Sequence, residues 1–575
     1  MDKDRLAELL ESIGTLLELK GENPFKVRAY HNAARAIGQY HGPLEKAVKE
    51  GSLSGIPGIG KGLSERIEEF SETGHIKYYD ELKGSIPAGM TEMLSIEGLG
   101  PKKIRAIYEK LGIKTVRGLE EACRKNKIAS LDGFGGKTQE NILKGIQYLS
   151  SNRNKFLISD ALREAVRIQG LLKKKGKGNI KRIEIAGSLR RKKELIGDID
   201  IVAGASDSEK VMNIFASLEG VKDVIAGGGT KTSVKLDMGI NADIRVVSDK
   251  EFPYALHHFT GSKEHNTAMR SLAKAKNMKM NEYGLFRKGK NIPCKNEKDI
   301  FTALGLSFIP PELREDRGEI EAASNGKIPR LVEEKDIKGL LHVHTSYSDG
   351  STALEDMAAE TKKRGYSYIG ICDHSKSAYY AGGLNEDKLR KQWEEIDSLN
   401  AKTKNLRIFK GIEVDIFPDG SIDYDKAVLE KFDFVIASIH TKFKMTKEDM
   451  TERIIKAVKN PYTTMIGHLT GRLLLTREGY EVDVEKIIEA CSSEGKSIEL
   501  NSHPQRLDLD WRFCKLAKEC GVPVSINPDA HNAGGLDDII YGVGAARKGW
   551  LEKKDVLNTM SADEIKKFFD NIKKR

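Results

Sequence analysis

The sequence predicts a multidomain chain of mixed α+β and α/β class, in which a helical N-terminal region precedes an α+β middle and a C-terminal parallel α/β barrel. Three observations predict this. A glycine-containing pattern recurs three times among helical periodicities in the first 150 residues, strands alternate with helices from residue 151 to about 315, and seven apolar stretches separated by helical segments follow residue 338. A length of 575 residues corresponds to about three to five packed units. With 39% hydrophobic and 31% charged residues the chain can build cores, which excludes wholesale disorder. No run of about 18 apolar residues is present, and the opening MDKDRLAELLES carries acids where a secretion signal would be basic and then apolar. A cytoplasmic protein without membrane association is expected. Six scattered cysteines (Cys123, Cys294, Cys372, Cys491, Cys514, Cys520), with no Cys-x-x-Cys pair, indicate neither a disulfide framework nor a thiolate zinc site.

The helical region is read from charge and repeats. The formal net charge of +10 divides into +14 for residues 1–300 and −4 for 301–575, and residues 101–200 alone hold 25 basic and 11 acidic side chains. Such an excess suits a polyanion, because Lys and Arg that neutralise phosphates release condensed counterions. The repeated pattern is apolar-x-Gly-apolar-Gly: Ile56-Pro57-Gly58-Ile59-Gly60, Ile96-Glu97-Gly98-Leu99-Gly100 and Leu131-Asp132-Gly133-Phe134-Gly135, each followed by a Lys-containing helical stretch. Glycines flanking an apolar residue let a tight turn present backbone N–H groups at a helix start, which makes a sequence-blind phosphate clamp. A single copy reads equally well as a helical-hairpin turn with a glycine cap. Three copies in a basic segment resemble the helix-hairpin-helix motif of DNA-binding proteins. The resemblance implies DNA contacts at Gly58, Gly60, Lys61, Gly98, Gly100, Lys102, Gly133, Gly135 and Lys137.

In the middle region, 183–186 reads as a strand, followed by Gly187-Ser188-Leu189-Arg190-Arg191 and a second strand at Gly197-Asp198-Ile199-Asp200-Ile201-Val202; 232–238 and 242–247 read as a hairpin around 239–241. The strand period of two points Asp198 and Asp200 to one face. Asp243 offers a third carboxylate, and such a cluster suits Mg²⁺ that also holds substrate phosphates. Ser188 and Arg191 could grip a nucleotide's phosphates. Asp-x-Asp alone is a common surface-strand pattern. Together, Gly187 to Arg191, Gly197 to Asp200, and Asp243 closely resemble the nucleotidyltransferase palm of family X DNA polymerases, the DNA polymerase beta group.

That resemblance implies Asp198, Asp200 and Asp243 as catalytic ligands of Mg²⁺ (or Mn²⁺), and nucleotide contacts at Gly187, Ser188, Arg191 and Gly197. It also implies a sugar-contacting segment at Phe259-Thr260-Gly261-Ser262, with Asn266 and Arg270 near the incoming base and template, and Asn281-Glu282-Tyr283 fits as well. His258 stands where the family has an aromatic residue. Arg66 stands where the beta-type enzymes carry a Schiff-base lysine, and a guanidinium is no amine nucleophile.

After residue 338, apolar strands are expected at 340–344, 368–372, 408–413, 434–440, 464–468, 497–501 and 523–527, each ending in or closely followed by His, Asp or Glu. Parallel barrels place their chemistry at such strand ends. His342, His344, Asp349, His374, Glu413, His440, His468, Asp529 and His531 make nine N and O donors, enough for two or three Zn²⁺ or Mn²⁺ ions sharing a carboxylate such as Glu413. These residues resemble the polymerase and histidinol phosphatase (PHP) domain, which implies a distorted seven-stranded barrel with a trinuclear site. His503 is read as pocket rim or structure.

The implied domains are 1–85 and 86–150 (helix-hairpin-helix), 151–247 (palm), 248–316 (thumb), 317–337 (linker) and 338–575 (PHP barrel). The combination is similar to the two-domain bacterial and archaeal family X polymerases. It implies a monomer that takes gapped or primed DNA and dNTPs, fills short gaps in repair, and cuts phosphodiesters as a 3′-5′ exonuclease or at abasic sites. Two other readings stand beside it: a barrel that hydrolyses small phosphate monoesters, and a DNA-binding scaffold with an inactive palm.

Overall fold

In the computed structural model, the described residues are 3–38, 40, 44–96 and 98–574, so Glu97 of the second glycine repeat lies outside them. They fall into two compact units: Met1–Arg153 with the short segments His344–Met357 and Thr476–Glu478, and the remainder of the chain.

The N-terminal part of the first unit is helical. Lys3–Lys20 buries Leu6, Leu10, Ile13 and Leu17, one stripe at helical spacing, and Pro24–Gly38 buries Val27, Tyr30, Ala33, Ala34 and Ile37. The apolar residue inside each glycine repeat (Ile59, Leu99, Phe134) is buried in the same core. Gly58, Gly98 and Gly133 take the left-handed conformation, with φ of +91°, +77° and +84°. In the first two copies the last glycine, Gly60 or Gly100, is the extended residue that starts the helix Lys61–Thr73 or Pro101–Leu111. The third copy differs, since Gly135 is itself left-handed and is the first residue of Gly135–Ser151.

In the second unit, β1 (Phe156–Leu157) pairs with β3 (Leu195–Ile196), beside a five-stranded sheet of β2 (Ile180–Ile185), β4 (Asp198–Ala205), β5 (Val221–Gly227), β6 (Lys231–Leu236) and β7 (Asn241–Val247) in the order β2-β4-β7-β6-β5. The expected strands are present. β5, an edge strand exposed along most of its length, lacks an alternating apolar pattern and was not expected. Next come the helices Phe252–Thr260 and Lys263–Ala275 and an antiparallel sheet of β8 (Met278–Asn281), β9 (Gly284–Arg287) and β10 (Lys290–Asn291).

The stretch 317–337, whose charge and turn residues suggest a linker, carries the helix Glu319–Ser324 and sends Ala323 and Leu331 into the core of the preceding module. The buried Glu319 lies 2.7 Å from His265 Nδ1 and accepts hydrogen bonds from the Asp316 and Arg317 N–H groups.

Seven parallel strands follow: β11 (Gly339–Val343), β12 (Tyr368–Ile371), β13 (Arg407–Asp415), β14 (Phe434–Ser438), β15 (Met465–Ile466), β16 (Ser497–Asn501) and β17 (Val524–Asn527), hydrogen-bonded in sequence order. A parallel bridge between Val343 and Ala530 brings the first strand to the last and nearly closes the barrel. Every residue of β11, β12, β14, β16 and β17 is buried, which is why these strands read as unbroken apolar runs. Among the described residues, no helix is long and apolar enough to cross a membrane.

Candidate active sites

Two centres are built on strands of the second unit. In the five-stranded sheet, β4 and β7 run parallel with Asp200 opposite Asp243 and Asp198 opposite Asn241. Alternation along β4 brings Asp198 to the face of Asp200, so three carboxylates share one end of that face while Ile199 and Ile201 enter the core. Burial, with Asp198 and Asp243 adding like charge, pushes the Asp200 carboxyl up to about 7; burial and Asp243 also raise Asp198. Lys231, on the neighbouring β6, forms an ion pair with Asp243 and partly offsets this crowding. Crowded hard oxygen donors of this kind fit a divalent cation.

The turn Gly187–Arg190 lies directly against these carboxylates. Gly187 has φ of +62°, and a Cβ there would stand 2.1 Å from Asp200 Oδ2, so both backbone and space demand glycine. Arg190 is tied to Glu297 Oε2 at 2.6 Å and donates to Thr260 Oγ1 at 2.6 Å. Arg191 is almost wholly buried, donates from Nε to Glu315 Oε1 at 2.9 Å and also donates to the Thr260 carbonyl. Gly261 is left-handed, and a Cβ on it would come within 3.0 Å of Arg191 NH1. The turn and the Phe259–Ser262 segment are thus brought together.

Asn266 is buried and spends its amide N–H on the His258 carbonyl at 2.7 Å. His258 is half-buried, edge-on to Phe259 with ring centroids 5.0 Å apart; burial and the nearby Arg270 and Arg245 lower its pKa although Glu282 opposes them. Arg270 is exposed, and Gly197 starts the β4 approach with open space around its α-carbon.

In the barrel, imidazoles gather around Glu413 on β13. His342 Nε2, His440 Nε2 and His468 Nε2 lie 3.4, 3.3 and 3.0 Å from Glu413 Oε1, and His374 Nδ1 lies 2.9 Å from Oε2. Burial opposes ionisation of Glu413, yet His440, His342 and His374 hold its carboxyl well below the usual range. Asp529 Oδ1 is 3.5 Å from His342 Nε2, and His531 stacks obliquely with His374 at 6.4 Å between ring centroids. His344 directly follows β11, and its Nδ1 lies 3.6 Å from Asp349 Oδ1 in the adjoining loop.

The backbone is specialised here. The pairing of β11 with β12 shifts register between Leu340 and Val343, and His342, His468 and Asp529 are left-handed with φ of +56°, +22° and +51°. Left-handed non-glycine residues cost of order 1–3 kcal/mol each and concentrate at functional sites.

Sequence reasoning missed the carboxylates behind the imidazoles. Glu499 on β16, fully buried, lies 2.6 Å from His342 Nδ1 and accepts from the His468 N–H at 2.7 Å and from Asn527 Nδ2 at 2.8 Å. Asp415 lies 2.5 Å from His440 Nδ1. Each carboxylate takes one ring nitrogen and turns the other toward Glu413, the support that metal-ligating histidines need. The donor set therefore fits divalent metal; among the groups that do so, His374, Glu413 and His440 offer ligand atoms within 4.8 Å of one another. The available signal was a carboxylate inside an otherwise apolar strand. His503 sits on the loop after β16, half-buried, with the Gln505 N–H on its Nδ1 at 3.3 Å; Arg506 nearby reaches Asp529 at 3.3 Å.

In the helical unit the candidate contacts are open. A Cβ on Gly60, Gly98, Gly100, Gly133 or Gly135 would meet nothing within 4 Å, and Gly58 would only touch Asn32 at 4.0 Å. Lys61, Lys102 and Lys137 are exposed, and Lys103 donates back to the Gly98 carbonyl at 3.0 Å. Arg66 pairs with Glu69 at 3.3 Å and lies over the Tyr78 ring at 5.0 Å.

Parts of the chain match known protein families. Residues 1–76 match a helix-hairpin-helix domain, 90–147 a SAM-like helix-hairpin-helix tandem, 255–315 the DNA polymerase beta thumb and 341–503 the PHP domain. The chain is 40% identical to the DNA polymerase/3′-5′ exonuclease PolX of Bacillus subtilis over 99% of both proteins. It is 26% identical to DNA polymerase lambda of Rattus norvegicus over 54% of this chain and 56% of the relative. Over 41% of this chain it is 31% identical to a probable phosphatase of Caldanaerobacter subterraneus subsp. tengcongensis, covering 91% of that protein. Polymerase modules followed by a metal-fitted barrel define a bifunctional nucleic-acid enzyme class, and the chain belongs to the family X DNA polymerases that carry a PHP domain.

Proposed function

We propose that the protein fills short gaps in DNA during repair with its palm and removes 3′-terminal nucleotides with its barrel. The observation that carries this reading is the presence of two chemically different centres on one chain, a carboxylate cluster against a tight glycine turn and an imidazole cluster around one buried glutamate. Divalent ions, Mg²⁺ or Mn²⁺ held by the carboxylates of the first and two to three Zn²⁺ or Mn²⁺ held by the imidazoles and carboxylates of the second, would when bound neutralise phosphate charge and lower the pKa of the attacking hydroxyl or water.

The chain's own residues do the remainder. Asp198, Asp200 and Asp243 hold the palm site, while Gly187 keeps the turn close enough for Ser188 and Arg191 to take the triphosphate of an incoming dNTP. Gly197 leaves room beside β4. The Phe259–Gly261 segment, His258, Asn266 and Arg270 frame sugar and base. In the barrel, His342, His374, Glu413, His440, His468, Asp529 and His531 form the binding set, and Glu499 and Asp415 orient imidazoles from behind; His344 and Asp349 are further candidate donors. The glycine turns with Lys61, Lys102 and Lys137 grip the DNA backbone, since no packing contact explains glycine at Gly60 or Gly100. The protein acts as a cytoplasmic monomer, and Arg66 leaves the beta-type Schiff-base step without its amine.

Primer extension and 3′ degradation on a gapped duplex test the assignment, with wild type, Asp198→Ala/Asp200→Ala and His342→Ala/His344→Ala. Each pair should abolish one activity and spare the other; loss of both in both variants would overturn separate sites. The second reading, monoester hydrolysis, is favoured by the probable phosphatases that resemble the barrel part. Faster turnover of a generic monoester than of a 3′-tailed duplex would establish it.

A further inference from the structure

Lys548 ends the helix Ile539–Lys548, which follows β17, and it is a cation with almost no solvent exposure. Its Nζ lies 2.5 Å from Glu315 Oε1 and donates to the Arg191 carbonyl at 3.1 Å, while the ammonium stands over the Trp511 ring at 4.6 Å. Glu315 Oε1 also accepts from Arg191 Nε at 2.9 Å, so one carboxylate oxygen is shared by a barrel lysine and a palm arginine. The contact is reinforced around it. Trp511 Nε1 donates to Glu194 at 3.1 Å, Arg512 pairs with the same carboxylate at 3.1 Å, and Arg547 pairs with Glu312 at 2.8 Å. Burying a lysine is expensive unless charge and hydrogen bonds compensate it. The compensation here is spent on the residue expected to meet the triphosphate.

We propose that the PHP barrel is a working part of the nucleotide site, with Lys548 as a positioning residue that sets Arg191 through Glu315 and through the Arg191 carbonyl. Were Lys548 neutral, the buried Glu315 would retain only Arg191 and the half-exposed Lys193, 3.6 Å from its other oxygen. Arg191 would then be drawn to Glu315 as its principal counter-charge, and the turn would lose the hydrogen bond that fixes its carbonyl. Held by Lys548, Glu315 instead anchors Arg191 by Nε while the Thr260 carbonyl accepts from Nη1, which leaves Nη2 to meet phosphate.

The inference rests on reading Gly187–Arg191 as the triphosphate turn, and the test separates the two. Single-nucleotide gap filling and 3′-5′ degradation are measured on full-length wild type, Lys548→Met and Lys548→Met/Glu315→Gln. Lys548→Met should raise the KM for dNTP about tenfold, the equivalent of ~1.4 kcal/mol, with kcat within threefold and degradation unchanged. The double variant, which removes both halves of the buried pair, should bring KM back toward wild type. A wild-type KM in Lys548→Met, or a parallel loss of both activities in both variants, would overturn the positioning role. If wild type itself extended no primer, the polymerase reading would fall first and this inference with it.

Discussion

Replacing Gly187 by alanine should separate the two activities more cleanly than removing any carboxylate. The new Cβ would lie 2.1 Å from Asp200 Oδ2 and 2.9 Å from its Cγ, whereas ordinary contact begins near 3.4 Å. The carboxylate, the turn or both must therefore move by more than ~1 Å. The left-handed backbone, φ +62°, adds about 1–2 kcal/mol for any residue with a Cβ. A melting temperature lower by a few degrees is expected, since 1 kcal/mol shifts a domain of this size by about 2–4 °C. The catalytic consequence is larger: a misplacement of about 1 Å at a reacting centre costs on the order of 10²-fold. Single-turnover gap filling by Gly187→Ala should fall by about that factor, while 3′-5′ degradation, proposed above for the residues around Glu413, should match wild type. Gap filling within twofold of wild type in a folded variant would refute the claim that the turn and Asp200 are mutually fitted.

Other outcomes follow from the same structure. Glu413→Gln should remove 3′ degradation and bound metal while sparing extension, whereas Glu499→Gln, which disturbs the support of His342 and His468, should weaken metal binding by about 10–100-fold; metal content of the purified variants reads both. Gly100→Val places a side chain where nothing lies within 4 Å on an extended backbone, so stability should change by no more than about 0.5 kcal/mol. Affinity for gapped duplex should nonetheless fall about tenfold, and unchanged affinity would remove the backbone-clamp reading of that loop. Burial alone would raise the pKa of Glu297, but Arg314 and Arg190 outweigh it and bring it from 4.5 to about 2. A depressed carboxyl stabilises the fold above its unfolded pKa, and that stability is lost as pH falls from about 4.5 through 2, by about 3 kcal/mol in total. Acid unfolding of wild type and Glu297→Gln should therefore converge across that window and run parallel above it; parallel curves throughout would contradict the pairing.

Much of the molecule was legible along the chain because its signals are local. The period of two in Gly197-Asp198-Ile199-Asp200 needs only strand geometry to bring both carboxylates to one face, and the fully buried barrel strands announce themselves as apolar runs capped by His, Asp or Glu. The glycine turns were legible because a left-handed φ at Gly58, Gly98 and Gly133 leaves glycine as the residue of choice. What escaped was set by neighbours distant in sequence. Glu499 and Asp415 look like ordinary strand residues until β16 and β13 bring them behind imidazoles from other strands. The stretch 317–337 has the composition of a linker, and only the His265–Glu319 contact and the shared apolar core make it part of the preceding module.

By itself, then, the sequence determined the helical, α+β and barrel regions and pointed to most of the side chains gathered at the two candidate centres, because periodicity and residue chemistry act within a few residues. Tertiary structure alone decided the parallel register that sets Asp200 against Asp243, the ring of imidazoles about Glu413, and the contact of Lys548 with Arg191 and Glu315 across more than 200 positions. Those depend on which buried charges meet, and burial makes an unmatched charge so costly that packing, rather than local preference, selects the partner.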